Sequence, residues 1–388
     1  MKTKKTRKEI AFKVGAVCLS FCLATGAIEG YLEVRNSNHY MIFVPYRQTA
    51  FKPDSTIIYG VSGVSHVRIN SLGLRGDETF GDAGFHIITL GASTTECVYL
   101  DQDKSWPALL QSSLNAEMSA QKTWVGNAGI SGRRSAHHLI ELKRLCEQLP
   151  WVDMMIVLMG VNDLQYRLSS DSGFIEKSQS TLLHESFTYV PRDSSVSFVK
   201  RSEIFKLLSS VKRVLAPAPT GQTLTGDQLS LWRENRHHAR AFIDSLPDIS
   251  DGLREYESNI KQIIAVAREN KKKLLFLTQP TIWKESMTEY EKSIIWFGWI
   301  GRYQTDNSGR YYSVSALRRG MDAYNETLIH VCQAYKVDCL DLAAILPKDT
   351  TIFYDDCHFN EHGAEVVSKE LTRHLLSMRK DGILEMKQ

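Results

Sequence analysis

The sequence predicts an α/β fold built on a parallel β-sheet with helices on both faces. Short apolar runs typical of buried strands alternate along the chain with longer segments that have helical spacing. This alternation indicates parallel pairing, because parallel strands need a long crossover connection between them. The 388 residues are enough for one large domain with insertions, and we expect one elaborated domain.

The predicted elements follow one another in order along the chain. Residues 66–78 begin with alternating polarity and contain two glycines, which predicts a short strand and a turn. Apolar runs then predict strands at 85–90, 124–127, 154–159, 274–277 and 337–342. Helical spacing predicts helices at 106–114, 136–149, 253–267 and 316–334. The apolar residues of the third helix fall on one stripe, as expected of a helix that packs on a sheet.

The first 35 residues predict a membrane anchor. Residues 10–28 are mostly apolar, contain no Asp or Glu, and approach the ~20 residues that a spanning helix needs. The basic flank before them predicts a cytoplasmic N-terminus, and it consists of Lys2, Lys4, Lys5, Arg7 and Lys8. The small residues 25–27 leave a cleaved signal peptide as the alternative.

Both interpretations export the main domain, residues 36–388. With an uncleaved segment the protein is single-pass in the cytoplasmic membrane, with its catalytic domain on the periplasmic or extracellular side. With a cleaved segment it is secreted.

The alternation of strands and helices breaks down twice, which predicts two insertions at about 165–250 and 282–312. The first insertion contains a basic amphipathic stretch, residues 199–215. It predicts either contact with a membrane surface or a solvated surface helix. The second is rich in Trp and Tyr, and its aromatic side chains either line a sugar or acyl pocket or pack within a lid.

The charge balance argues against a nucleic-acid partner. Lys and Arg number 47 and Asp and Glu number 44, so the composition gives no sign of the broad basic surface that phosphate binding requires.

Four short motifs lie at the ends of predicted strands. "GAS" ends at Ser93, "NAGISG" ends at Gly132, "GVND" contains Asn162, and "DDCH" ends at His358. Because ligands bind outside the carboxyl ends of parallel strands, these motifs predict one shared site.

The residue types in these motifs have complementary chemistry. A serine hydroxyl needs a base to become a nucleophile, and His358 can act as that base for Ser93. Asp355 precedes the histidine by three residues, a spacing that lets it orient the imidazole. An oxyanion formed from an ester carbonyl needs preorganised donors. We expect these donors to be the backbone N–H groups of Ser93 and Gly132 and the side-chain amide of Asn162.

In their order and spacing, these motifs resemble the SGNH, or GDSL-type, hydrolase family. Its four signature residues correspond to Ser93, Gly132, Asn162 and His358, and Asp355 completes the triad. The resemblance extends from about residue 66 to the C-terminal helix, outside the anchor and the insertions. It implies a flavodoxin-like three-layer α/β/α sandwich and hydrolysis or transfer of acyl esters, with no metal and no organic cofactor.

The sequence departs from the family pattern at Ala92, where the family name places an Asp whose side chain has no part in this chemistry. Asp356 is a neighbouring carboxylate, but the spacing to His358 favours Asp355 as the orienting group. The Gly-x-Ser-x-Gly elbow of the α/β-hydrolases does not occur around the predicted nucleophile.

Two of the seven cysteines flank the predicted site. Cys97 follows Ser93 by one helical turn, and Cys357 directly precedes His358. In an oxidising compartment they either form a disulfide that ties the two loops together or remain two unpaired thiols.

We therefore expect a serine esterase that acts on an acylated small molecule or glycan, with O-acetyl groups on a surface or exported polysaccharide as the favoured substrate. An O-acyltransferase would use the same residues with a sugar hydroxyl in place of water. A lysophospholipase and a non-catalytic, membrane-anchored glycan-binding or assembly protein are the further alternatives.

Overall fold

The computed structural model describes residues 7–79, 84–118, 122–170, 173–191, 198–217, 219–220, 224–301 and 309–380. The chain forms two compact units. Unit 1 consists of residues 1–40 and 190–217, and unit 2 consists of residues 41–189 and 218–388.

The described strands are β1 (Gln48–Pro53), β2 (Ser65–Arg68), β3 (Phe85–Gly91), β4 (Thr123–Asn127), β5 (Met154–Leu158), β6 (Leu224–Thr225), β7 (Ala241–Ile243), β8 (Lys273–Leu277), β9 (Arg310–Tyr312) and β10 (Asp338–Leu340). The helices of the first half are α1 (Arg7–Arg35), α2 (Ser93–Glu96), α3 (Trp106–Glu117), α4 (Ser135–Gln148), α5 (Val161–Leu168), α6 (Gln179–Ser186) and α7 (Phe198–Arg201). The remaining helices are α8 (Glu203–Leu215), α9 (Asp227–His237), α10 (Ser250–Glu269), α11 (Glu289–Ile294), α12 (Val314–Tyr335), α13 (Leu342–Ile345) and α14 (Glu361–Lys380).

Unit 2 is built on a five-stranded sheet with the order β10-β8-β5-β3-β4. Every pair of neighbouring strands in this sheet is parallel. The helices beside it pack in two groups, α3 with α14, and α10 with both α4 and α12. This arrangement confirms the predicted α/β fold with a parallel sheet, and all five predicted strands from residue 85 onwards belong to the sheet.

Burial explains why these strands are apolar along their whole length. Every residue of the central strand β5 is buried, because helices cover both faces of the sheet. Packing of this kind is stabilised by about 25 cal/mol for each Å² of apolar surface removed from water. The core therefore fixes the register of β3 and β5, which places Gly91 opposite Leu158 at the carboxyl end of the sheet.

The two predicted insertions form a separate two-stranded sheet. Strand β7 lies in the first insertion and pairs in parallel with β9, which lies in the second. Strand β1 joins β2 and β6 in a separate three-stranded sheet. The boundaries predicted for the hydrolase domain and its insertions stay a prediction.

Unit 1 contains α1, which is long and apolar enough to cross a membrane by length and composition. The helix extends beyond the apolar stretch 10–28 at both ends. Near its C-terminal end, the Glu29 carboxylate accepts hydrogen bonds from the backbone N–H groups of Glu203 and Ile204, at 2.6 and 2.9 Å. The Ser202 hydroxyl donates to the same carboxylate at 3.0 Å, so Glu29 caps the start of α8.

Candidate active site

Ser93 follows the carboxyl end of β3 as the first residue of α2. The short helix ends at Glu96, and the next residue, Cys97, has a φ of 53° in the left-handed region and turns the chain sharply. The buried Arg75 guanidinium holds the segment that follows the nucleophile, donating at 2.5 to 3.1 Å to the backbone carbonyl oxygens of Glu96, Cys97, Leu100 and Asp101. Ser93 therefore lies on a turn that a buried cation fixes in place.

Ser93, His358 and Asp355 form one continuous chain of hydrogen bonds. The Ser93 hydroxyl lies 2.7 Å from Nε2 of His358. The Nδ1 atom of the same ring lies 2.7 and 2.9 Å from the two carboxylate oxygens of Asp355. With the imidazole neutral and its proton on Nδ1, the hydroxyl donates to Nε2 and the ring donates to the carboxylate.

The electrostatics of this pair follow from burial and mutual attraction. Burial disfavours the charged form of Asp355, but the adjacent His358 ring and the hydrogen bonds to the carboxylate outweigh it and hold the pKa of Asp355 below its ordinary value. Burial would likewise lower the pKa of His358, yet the Asp355 carboxylate raises it above its ordinary value. The site thus favours a carboxylate beside a ring that readily accepts a proton.

The adjacent carboxylate, Asp356, is turned away from the imidazole. It accepts hydrogen bonds from the indole N–H of Trp283 at 2.8 Å and from the backbone N–H of Trp296 at 2.6 Å. The indole N–H of Trp296 donates instead to Asp355 at 3.0 Å. Asp356 therefore holds the aromatic segment after residue 282 by hydrogen bonds, and that segment in turn donates a hydrogen bond to Asp355. We call residues 352–359, which carry both carboxylates, the histidine loop.

Gly132 lies in a second loop, residues 128–135, which we call the glycine loop. Gly132 has a φ of 78°, which glycine adopts without strain, and a Cβ there would meet nothing within 4 Å. Gly129 is needed for a different reason, because a Cβ would lie 2.4 Å from the backbone nitrogen of Glu96. The glycine loop therefore packs directly on α2, the helix that begins at Ser93.

Three side chains hold alternate residues of the glycine loop. The Glu96 carboxylate accepts from the backbone N–H and the hydroxyl of Ser131. The Asn162 side-chain amide donates to the carbonyl oxygen of Arg133 at 2.9 Å. The carboxylate of the neighbouring Asp163 accepts from the backbone N–H and the hydroxyl of Ser135. These contacts bracket Gly132 and link it to the elements that carry Ser93 and Asn162.

The backbone N–H groups of Ser93 and Gly132, two of the predicted oxyanion donors, have no acceptor within the described protein. Asn162 is half-buried and has a second amide hydrogen beyond the one given to Arg133. The structure therefore brings the predicted donors to the same end of the sheet as the Ser93–His358–Asp355 chain.

Of the two alternatives for Cys97 and Cys357, the structure has the two unpaired thiols and not the disulfide. Both cysteines are free and buried. The Cys97 thiol donates to the carbonyl oxygen of Thr94 at 3.3 Å, and the Cys357 sulfur lies 3.9 Å from Nδ1 of His358. Burial raises the pKa of the Cys97 thiol to about 12, so this thiol stays protonated near neutral pH.

Sequence reasoning missed several residues that organise the site. Glu96 and Asp163 lie within or beside the motifs, and their proximity to Ser93 and Asn162 was the available signal. Arg75 and Trp296 gave no such signal, because each contacts residues far away in the sequence. These are contacts that only the folded chain creates.

Comparison with known proteins agrees with the resemblance stated above. Residues 89–366, more than half of the chain, match the GDSL-like Lipase/Acylhydrolase family. No curated protein is a significant match.

Three solved structures with similarity to the chain span most of its length. LAE5, an alpha/beta hydrolase enzyme from the metagenome of Lake Arreo, Spain, is 14% identical, with 75% of this chain and 94% of that chain covered and a TM-score of 0.40. The lipase/acylhydrolase from Enterococcus faecalis is 13% identical, with 78% and 99% covered and a TM-score of 0.37. Axe2, an acetylxylan esterase from Geobacillus stearothermophilus, is 13% identical, with 79% and 97% covered and a TM-score of 0.38.

The family match over residues 89–366 includes all five residues predicted for the site. The chain belongs to the GDSL-like lipase/acylhydrolase family and is a serine ester hydrolase.

Proposed function

We propose that this protein is an exported, membrane-anchored esterase in which Ser93 is the nucleophile, His358 the general base and acid, and Asp355 the group that orients the imidazole. The observation that carries this proposal is the unbroken hydrogen-bond chain from the Ser93 hydroxyl through both ring nitrogens of His358 to Asp355. Removal of Ser93 or His358 interrupts proton transfer, and removal of Asp355 leaves the imidazole without its orienting carboxylate.

In the acylation step, Ser93 Oγ attacks the ester carbonyl carbon while its proton passes to Nε2 of His358. The Nδ1 proton stays on the ring, and the Asp355 carboxylate stabilises the imidazolium. The C–O bond to the leaving alcohol then breaks, and Nε2 returns the proton to that oxygen. A water molecule, deprotonated by the same ring, releases the acyl group as a carboxylic acid and restores the Ser93 hydroxyl.

The tetrahedral intermediate in each step carries a negative oxygen. We assign its stabilisation to the free backbone N–H groups of Ser93 and Gly132 and to the Asn162 amide. Because the three contacts around Gly132 fix the loop before substrate arrives, these donors need little rearrangement during the reaction.

For the substrate, we propose acyl esters, with O-acetyl groups on a surface or exported polysaccharide as the favoured class. The N-terminal helix supports a location outside the cytoplasm, with residues 1–35 as the anchor and residues 36–388 as the hydrolase domain. A part-exposed ring near the triad supports a sugar-binding surface: Trp299 stacks on the buried Trp296, whose indole N–H donates to Asp355.

Hydrolysis of p-nitrophenyl acetate by the full chain, compared with its Ser93→Ala variant, tests the assignment. We expect the variant to lose at least about 10⁴-fold in kcat, because the nucleophile is absent. Ser112→Ala is the matched control, since Ser112 is exposed on α3 and should leave kcat unchanged. A folded Ser93→Ala variant with native activity would disprove the nucleophile.

A second experiment separates hydrolysis from transfer to a glycan. The enzyme is incubated with an O-acetylated oligosaccharide, and with an acetyl donor in the presence and absence of a deacetylated acceptor. Release of acetate from the O-acetylated oligosaccharide supports the esterase, as does release of acetate from the donor at a rate that the acceptor does not change. Acetylated acceptor as the main product would show that the same residues perform O-acetyl transfer.

A further inference from the structure

Helix α8, in unit 1, presents an apolar stripe that the described protein leaves uncovered. On a helical wheel all its apolar residues except Phe205 lie on one side, and its charged residues and serines lie on the other. Five side chains of the stripe are between 49% and 78% exposed, namely Leu207, Leu208, Val211, Val214 and Leu215. Such a stripe is costly in water, so it needs an apolar surface to cover it.

The opposite face is polar and basic. It carries Lys206, Lys212 and Arg213, against a single carboxylate from Glu203 that pairs with Lys206 at 2.6 Å. The preceding α7 ends in two further basic residues, Lys200 and Arg201. An apolar stripe bordered by Lys and Arg is the pattern of a helix that lies in a bilayer interface beside anionic headgroups.

The capping contacts place the start of α8 at the end of the apolar segment of α1. Glu29 is the first carboxylate after the apolar stretch 10–28, so it lies where a spanning helix leaves the hydrocarbon. Its hydrogen bonds to residues 202–204 fix the first turn of α8 at that level. Asn36 adds a second tie, since its amide donates to Glu203 at 2.7 Å.

We propose that α8 is an interfacial helix that inserts its apolar stripe into the outer surface of the membrane in which α1 is anchored. This inference rests on the proposed anchoring by α1 and is independent of the assignment of the catalytic residues. The occupant of the stripe is lipid, because the helix starts where the span ends and because its polar face has the charge that anionic headgroups attract.

Photocrosslinking of the full chain tests this. The protein is reconstituted into vesicles of phosphatidylethanolamine and phosphatidylglycerol, with the photoreactive residue p-benzoylphenylalanine replacing Leu208. We expect lipid adducts at this position by mass spectrometry. Replacement of Leu231, an exposed leucine on α9 in unit 2, is the matched control and should give at least several-fold less lipid adduct.

A third position, Leu19 in α1, reports anchoring itself. Lipid adducts at Leu19 without lipid adducts at Leu208 would overturn the interfacial role of α8 and leave the anchoring by α1 supported. Lipid adducts at neither position would overturn both the interfacial role and the anchoring. Crosslinks from Leu208 to a second copy of the chain would also overturn it. Native hydrolysis of p-nitrophenyl acetate by each labelled protein shows that unit 2 is folded, so failure of this inference is distinguishable from failure of the proposed activity.

The cap provides a second measurement on the same helix. Glu29→Ala removes the acceptor that fixes the first turn of α8, so we expect a several-fold lower yield of lipid adduct at Leu208. Glu33→Ala is the control, since Glu33 is exposed on the same helix one turn later and should leave the yield unchanged. Equal yields in the two variants would contradict the role given to Glu29.

Discussion

The histidine loop and the glycine loop serve the same site but are stabilised in different ways. In the histidine loop the functional groups are side chains, and they are held by other side chains and by indole groups from the aromatic segment. In the glycine loop the proposed oxyanion donor is the backbone N–H of Gly132, and side chains hold the neighbouring residues while leaving this N–H without an acceptor in the described protein. A charge needs a fixed partner, whereas an oxyanion donor needs a fixed position and no partner.

The largest loss of kcat that tests this difference between the two loops is expected for a change at Asp355. Asp355→Asn removes the carboxylate that orients His358 and stabilises its charged form. We expect kcat to fall by about 10⁴-fold, as for removal of this charge in a serine protease. Steady-state hydrolysis of p-nitrophenyl acetate measures it, with folding checked by circular dichroism.

Asp356→Asn is the matched change one residue away. Asp356 does not contact His358, so we expect kcat to stay within about tenfold of native. The variant should instead lower Tm, because buried N–H donors of Trp296 and Phe297 lose a carboxylate acceptor. If the two variants lose the same activity, the two carboxylates do not have the separate roles that their contacts indicate.

The next largest effect is expected on the side of the glycine loop. Asn162→Ala removes a proposed oxyanion donor together with the bond to the carbonyl oxygen of Arg133. We expect kcat to fall by about 10²- to 10³-fold with little change in KM, because the donor acts mainly on the transition state. A variant with raised KM and native kcat would assign Asn162 to substrate binding instead.

The contrast also explains what the sequence could predict. The five sheet strands and the motifs of Ser93, Gly132, Asn162 and His358 could be located because each depends on local pattern and on the ends of buried strands. Strand β10 is shorter than the predicted 337–342, because it lies at the edge of the sheet and pairs only with β8.

The supports of the site were not predictable in the same way. Trp296 lies 59 positions before Asp355, and its indole donates to that carboxylate while its backbone N–H donates to Asp356. Arg75 likewise sits in what the sequence indicated as a strand and turn, and its burial depends on four carbonyl groups that no local pattern reveals.

A smaller effect is expected from the aromatic segment. Trp296→Phe removes the indole N–H donor to Asp355 and retains a ring in the same cluster. We expect kcat to fall by about tenfold, the equivalent of about 1.4 kcal/mol for one hydrogen bond to a charged group. Trp283→Phe is the control, because its indole donates to Asp356 only and should affect Tm more than kcat. Equal losses of kcat would remove the distinction between the two indoles.

The smallest expected effect is on the pH dependence of stability. Asp355 raises the pKa of His358 above 6.5, so the charged ring stabilises the folded state fully below 6.5 and this contribution is lost as pH rises through the raised pKa. The pKa of Asp355 is lowered, so the contribution of its carboxylate to stability is present above pH 3.8 and is lost as pH falls through the lowered value.

The Tm of the native protein should therefore exceed that of His358→Gln most clearly between pH 4 and 6, about the interval between 3.8 and 6.5. In free energy of unfolding, this contribution is about 1.4 kcal/mol for each unit by which the histidine pKa is raised. Calorimetric scans of both proteins from pH 4 to 9 measure the difference, and a gap that widens above pH 6.5 would contradict an ion pair between these two side chains.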